Sequence, residues 1–560
     1  MKKFKLTAAA SAMAMACASA YAADQPFFTV TEISDNADEY GYKLAQKNDI
    51  YSDIIQPYDW WSYFEANPTT IDLADYHTYA IGCIYDSAVC GSFYDDGNDQ
   101  DGKGHSFFKA LHENTSYISS LLSYGEQLDM FSGVRRNLGA DGTSMIAGWV
   151  ENPERTFKSS VRYPVVWSNG EKIVLEQKKG FGVASSSLLT DDGSFLIGGA
   201  SSKTDFEDGG YFRECYSDYD EDSFSYAMRN CPGYSNQPVV WSFDPSTNKV
   251  TGKQVLAHFR PADLDDDLNS ADIKAIVKRN GKYYAFGHSA TNKVGMDTLS
   301  IATWWSFEFN VDSNNNGTFS NVSGPINATG IDRPGQDDKH YGATWFADAN
   351  DNGYAIGNIR YSSVNRLAYP IEMFVYNIDS NSSNIALQNV PFKGASNEAV
   401  AINNNNLVVG IADNANSQYA TVDGMPREKE GYIYNVESGK YYSLNDLICT
   451  SSTCEINGKY YYIYNVGDIN DNNTIIANAY RYDTNKDWAN YTNAKNVTVM
   501  LTSDKFINNK DIDENYKVSY DRKEITYGEE KGGGGSGSMG GISVMLLGVM
   551  AFLRIRKLKK

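Results

Sequence analysis

Histidine is scarce in this chain. There are six among 560 residues, and none shows the H-x-x-x-H spacing that sets two imidazoles on one metal. Basic residues are outnumbered, 49 Lys and Arg against 70 Asp and Glu, for a net charge of −21. Such a chain repels phosphate backbones, which argues against a nucleic-acid partner. A G-x-S-x-G elbow, an H-E-x-x-H pair, a P-loop and an intact S-x-D-x-G-x-T-W box are all missing. No catalytic residue is therefore assigned, although 70 acids leave room for a glycosidase pair of carboxylates about 5–10 Å apart. Charged residues make up only 21% against 42% hydrophobic, which excludes a disordered tail. Long apolar runs are absent: the two best, at the chain ends, fall short of the ~20 residues that span a bilayer easily.

What is present begins at those ends. Lys2, Lys3 and Lys5 precede a small, apolar stretch from Leu6 to Ala18, and Ala20, Tyr21 and Ala22 form an A-x-A cleavage site. Residues 1–22 read as a secretory signal cut after Ala22 by signal peptidase. Cys17 lacks the Leu three residues earlier that a lipoprotein site would carry. At the far end, residues 531–538 form a linker containing Gly532, Gly533, Gly534, Gly535, Ser536, Gly537 and Ser538. Residues 539–560 follow as an uncharged stretch, Met539 to Leu553, and a basic cluster of Arg554, Arg556, Lys557, Lys559 and Lys560. As a helix the uncharged stretch covers about 22 Å, short of a ~30 Å hydrocarbon core, and snorkelling cations or local thinning must supply the rest. The basic end is expected in the cytoplasm.

Glycines, short apolar helix and basic cluster, in that order, resemble the GlyGly-CTERM sorting segment of Gram-negative bacteria. That resemblance implies cutting near the glycines by a rhombosortase-type intramembrane protease. It also implies a cell-surface or extracellular product, often through type II secretion, after a transient stay in the inner membrane. The competing reading is a permanent inner-membrane anchor.

Residues 23–530 carry an internal repeat. Asn or Asp, four variable residues, two apolar residues and Gly recur at 75–82, 141–148, 191–198, 280–287, 350–357, 403–410 and 470–477, where Ala477 replaces the Gly. Each copy predicts a turn and a short buried strand whose Gly admits a close backbone approach. Aromatic strands follow at 163–167, 237–241, 302–305, 369–375 and 431–434, and the expected pairing is a hairpin with the glycine strand. Seven copies with about four strands each predict an all-β fold, a seven-bladed β-propeller, its surplus length placed in loops such as 203–236 and 288–303. Strand 27–33 is expected to close the ring beside a late strand such as 516–520. The copies also resemble HAF-type extracellular repeats, most closely over Ala399 to Gly410. With both end signals, the chain resembles an exported Gram-negative family of unknown function, which implies location and fold but no catalytic residue.

Six cysteines beyond Cys17 fall into local pairs, and proximity predicts the disulfides Cys83–Cys90, Cys215–Cys231 and Cys449–Cys454 as loop staples. No C-x-x-C is present, against redox or zinc-ribbon chemistry. Calcium is the one cofactor candidate, because Asp348, Asn350 and Asn352, and likewise Asp312, Asn314 and Asn316, match half of an oxygen-rich D-x-N-x-N-G loop. Both lack the Glu at position twelve, and plain turn formation is the preferred reading. The acidic segments 95–101 and 263–267 are alternative ion sites or solvated loops. His288 reads as a loop residue. The leading functional expectation is a non-enzymatic exported binding or scaffold protein for an unidentified glycan or protein. The rival is a secreted propeller hydrolase acting on glycans, and a structural envelope component is a third class.

Overall fold

The structure is a computed structural model. It describes residues 26–34, the backbone of short strands between 40 and 151, and most of 162–506, interrupted chiefly at 203–235, 259–270, 329–340, 362–370 and 414–428. Strand β1 spans Thr29–Ser34. A three-stranded sheet follows, β2 (Tyr40–Leu44), β3 (Ser52–Gln56) and β4 (Tyr117–Ile118). Next come three four-stranded antiparallel meanders. The first holds β5 (Gly133–Leu138), β6 (Ser144–Glu151), β7 (Arg162–Ser168) and β8 (Glu171–Val174). The second holds β9 (Val183–Leu189), β10 (Phe195–Ser202), β11 (Asn236–Asp244) and β12 (Lys249–Val255). The third holds β13 (Ala271–Arg279), β14 (Lys282–Lys293), β15 (Met296–Val311) and β16 (Gly317–Asn327).

Two further meanders touch through one parallel pair, Glu372 with Asn397. They are β17 (Tyr341–Ala349), β18 (Tyr354–Tyr361), β19 (Ile371–Asn377) and β20 (Ser382–Ile385), then β21 (Asn397–Ile402), β22 (Leu407–Asp413), β23 (Lys429–Asn435) and β24 (Tyr441–Ser443). Helix α1 (Leu444–Leu447) and the strand β25 (Glu455–Ile456) lead into the last sheet: β26 (Lys459–Ile469), β27 (Ile475–Tyr482), helix α2 (Asn485–Asn490) and β28 (Lys495–Thr502). Its outer position is filled by β1, antiparallel to β28, with Thr29 facing Thr502. The N-terminal strand thus closes a late sheet as expected, but its partner is β28; residues 516–520 lie outside the described residues.

The repeat windows explain this regularity. Six of the seven end in the second strand of a meander: Gly148, Gly198, Gly287, Gly357, Gly410 and Ala477. The window 75–82 lies outside the described residues. Every expected aromatic strand pairs with its glycine strand, as Val165 does with Gly148 and Tyr432 with Gly410. A β-bulge in the first strand falls one step past the residue opposite Gly287, Gly357, Gly410 and Ala477; at the three glycines the first-strand carbonyl then stands where a Cβ would lie, while Ala477 carries one beside the same bulge. A bulge kinks its strand. A Cβ at Gly287 would stand 1.8 Å from the Asp272 carbonyl oxygen, and one at Gly410 2.1 Å from that of Glu398. One expected loop is mostly strand: 288–303 extends β14 and β15 into a long hairpin.

The turns that open the windows tie neighbouring sheets together. Asn350 Nδ2 donates to the Asn403 carbonyl and to Asn406 Oδ1, and Asn403 Nδ2 repeats this on the Asn470 carbonyl and Asn473 Oδ1. Gly353, Asn406 and Asn473, fourth in their windows, have φ of 90°, 62° and 59°, which Gly and Asn adopt at least cost. Between the sheets, inward side chains such as Phe286, Phe346, Phe374 and Tyr376 form edge-on aromatic cores. Each first strand packs on the sheet before it: β9 on β5–β7, β13 on β9–β11, β17 on β13–β15, β21 on β17–β19 and β26 on β21–β23.

Candidate ligand-binding face

From β5 onward, first-to-second and third-to-fourth strand connections take two to five residues. In an antiparallel meander these connections share one end. Second-to-third connections and those to the next sheet share the other end, and there eight residues or more are used, the β14–β15 hairpin excepted. The long connections therefore gather on one face, the usual place for binding residues carried on a rigid scaffold.

Near that face the first strands align one residue each, the residue immediately before the partner of the repeat Gly or Ala: Ser185, Asp272, Trp345, Glu398 and Asn465. The following residues, Ser186, Ile273, Phe346, Ala399 and Val466, are buried between sheets. Alternation along a strand turns the aligned five to the opposite side, and all but Asp272 are partly exposed. The first two members of this row touch: Ser185 Oγ donates to both carboxylate oxygens of Asp272 at 3.0 and 2.9 Å. Lys274 Nζ lies 2.6 Å from the same carboxylate. Burial pushes the Asp272 carboxyl up, against the downward pull of Lys274 and Ser185.

Glu398 sits two sheets further on. Among the described residues its carboxyl has no hydrogen-bond partner, and its nearby cation, Lys429, is ion-paired with Asp413 at 2.5 Å. Burial pushes Glu398 up to about 7, with Lys429 pulling weakly the other way. Trp345, between the two acids in sheet order, is half-buried. Around them the same end of the sheets carries further bonded groups, such as Tyr361 OH donating to Glu372 at 2.6 Å. His288 is no loop residue: it lies buried in β14 opposite Asp272.

Other sequence candidates lie elsewhere. Asp348 is buried and accepts from the Ile402 amide, while Asn350 and Asn352 donate to the next turn. Asp312 accepts from the amides of Asn314 and Asn316, closing its own turn between β15 and β16. These oxygens and amides make turns and staples, and among the described residues no group of three His, Cys, Asp or Glu could hold a metal ion. Cys449 and Cys454 form a disulfide with a Cα–Cα distance of 4.2 Å. Cys83, Cys90, Cys215, Cys231, the segments 95–101 and 263–267, Ala22 and the tail from Gly532 to Lys560 lie outside the described residues. Among those described, no helix is long and apolar enough to cross a membrane. Trp345, Glu398 and Asn465 each stand 12 residues before the repeat Gly or Ala, but turn length and bulge shift Ser185 to 13 and Asp272 to 15, so no single spacing marks the row in the sequence. Only strand pairing lines it up.

A family profile described as "Protein of unknown function (DUF3466)" matches residues 164–524, more than half of the chain. The chain belongs to this family. A search of curated proteins finds no match. Among solved structures, the chain is similar to the β-propeller domain of the Trilobed protease from Pyrococcus furiosus, at 11% identity over 62% of this chain and 80% of that one, TM-score 0.30. A protein of unknown function from Dyadobacter fermentans matches at 12% identity over 67% and 94%, TM-score 0.35. A PL25 ulvan lyase, a polysaccharide lyase, matches at 9% identity over 69% and 83%, TM-score 0.36. The DUF3466 chain is all-β on the evidence of its own sheets.

Proposed function

We propose that this DUF3466 protein is an exported seven-bladed β-propeller that binds a ligand on its long-loop face, at the row led by Asp272, Trp345 and Glu398. The single observation that carries the reading is the gathering of the long connections at one end, above a row of first-strand side chains that are partly exposed in all but Asp272. Ring closure is supported by the packing of β2 on β26, β27 and β28, and of β5 on β2 and β4. The three-stranded sheet β2–β4 then stands as the first of seven blades. Two buried amides in the last sheet suit that closure. Among the described residues, Asn470 Nδ2 and the Asn478 side chain lack hydrogen-bond partners, at positions where Asn403 and Asn358 reach into the following sheet.

Export rests on the two end signals. Signal peptidase cuts after Ala22, a rhombosortase-type protease cuts within or beside Gly532 to Gly541, and the product leaves by type II secretion to the surface or medium. Cys83–Cys90 and Cys215–Cys231 complete the disulfide set. A screen of the secreted chain against glycan and protein panels by thermal-shift and calorimetry tests the reading. Saturable binding lost on shortening the 203–235 and 414–428 connections supports it; binding that ignores both connections sinks it. Turnover of a polysaccharide, abolished by Glu398→Gln or Asp272→Asn, would favour the hydrolase.

A further inference from the structure

Resting on that binding reading, we propose that the ligand is an uncharged oligosaccharide, and that Trp345, flanked by Asp272 and Glu398, holds one of its sugar rings. The three side chains share one register on three consecutive first strands. The Ser185–Asp272 hydrogen bonds show that β9 and β13 come within contact distance at this register, and β17 packs on β13 as β21 packs on β17. A pyranose presents an apolar C–H face rimmed by hydroxyl groups. An indole matches that face in size and polarity, and carboxyls at its two sides accept from the rim hydroxyls. Such a mixed surface, an aromatic plate with a few placed polar groups, is the usual make-up of a small-molecule subsite.

The two acids differ in what they have left to give. Asp272 is held by Ser185 and Lys274, so it is oriented in advance. Glu398 has no hydrogen bond to any described residue, so its hydrogen-bonding capacity is left for a ligand. One step toward the turn end, the same three strands carry Lys274, which is drawn onto Asp272, and the small Ala347 and Val400 beside the indole. Charge selects among sugars. Lys274 is already neutralised by Asp272, and the chain carries −21 overall, so a uronate or sulfated glycan meets net repulsion. The base of a nucleotide could stack on the same indole, but the nucleotide's phosphates would meet the same field.

The test titrates the full secreted chain with hexasaccharides of β-1,4-glucose, α-1,4-glucose, β-1,4-mannose and β-1,4-N-acetylglucosamine, with hexagalacturonate as the acidic control, following Trp fluorescence and heat. Saturable binding of a neutral sugar is expected. It should weaken about tenfold or more in Trp345→Ala and in Glu398→Ala, and by much less in Trp345→Phe. Far-UV circular dichroism checks that each variant is folded, and Trp345→Phe keeps the test decisive if the alanine variant is not. Neutral-sugar binding indifferent to Trp345 and Glu398 overturns this subsite while leaving a binding protein. Binding of hexagalacturonate alone overturns the charge assignment. If no sugar binds but a protein ligand docks on the long-loop face, the sugar falls and the binding reading stands; if nothing binds, both fall.

Discussion

Gly410 shows how one residue can be demanded by its neighbour's backbone. Its missing Cβ would meet the Glu398 carbonyl oxygen at 2.1 Å and the Tyr432 ring at 2.6 Å, and Gly357 is pressed in the same way by the Trp345 carbonyl and Phe374. Gly198 differs, since its nearest atoms, Ser186 Oγ and Ile273 Cγ2, belong to side chains. Gly→Val at 357 or 410 should therefore destabilise by about 3 kcal/mol or more. Gly410→Ala should cost clearly more than Gly198→Ala in urea denaturation; equal costs would mean that the bulge carbonyls are not what forbids a side chain. Glu398 yields a second residue-scale prediction. Its folded pKa of about 7 lies above the ordinary 4.5, so the fold favours its neutral form. Its contribution is full below about pH 4.5 and is lost as pH rises through about 7. Glu398→Gln should flatten that part of the stability–pH curve and leave the variant more stable than the parent at pH 8. Lys429, Asp413, Glu372, Glu430 and Tyr432 stand on the surrounding strands and are unchanged in this comparison.

At the scale of elements, the last sheet depends on a strand from the other end of the described chain. β1 covers β28, Glu32 pairs with Arg481 at 2.7 Å and accepts from Tyr461 OH at 2.6 Å, and Phe27 and Phe28 dock on the Leu447 carbonyl. Deleting residues 26–34 would leave β28 as an open edge, a template for aggregation. The shortened chain is expected to lose its cooperative unfolding transition, and a synthetic peptide of residues 26–34 to restore it in part. The turn staples are a second device at this scale. Asn403 donates to the Asn470 carbonyl and Asn473 Oδ1 and accepts from the amides of Asn405 and Leu407, all while buried. Asn403→Ala leaves several of these groups unpaired and should cost on the order of 2–3 kcal/mol, read as a lowered urea midpoint.

For the whole molecule, the loops with D-x-N-x-N-G character already spend their oxygens and amides on turns and staples. Calcium or a chelator should leave the melting temperature unchanged; a rise of several degrees with calcium would restore those loops as ion sites. The tail prediction is equally direct. Intact-mass measurement of surface or medium protein should give a product from Ala23 to a point within or beside Gly532 to Gly541. Full-length chain found only in the inner membrane would overturn the export reading.

Seen from the sequence, the all-β architecture, the repeat centres, the hairpin partners and the Cys449–Cys454 bridge were legible, because each depends on contacts close along the chain. A turn, the strand after it and the next strand lie within one repeat, and their Asn, Gly and aromatic residues answer to local backbone geometry. The 288–303 hairpin was misjudged because strand extension depends on pairing across the sheet rather than on turn residues. The row of Ser185, Asp272, Trp345, Glu398 and Asn465 was decided by tertiary structure alone. Bulges and turns of unequal length move Ser185 and Asp272 off the 12-residue spacing to the repeat Gly or Ala that the other three keep. Only the lateral packing of one first strand on the preceding sheet sets Trp345 between the two acids in sheet order.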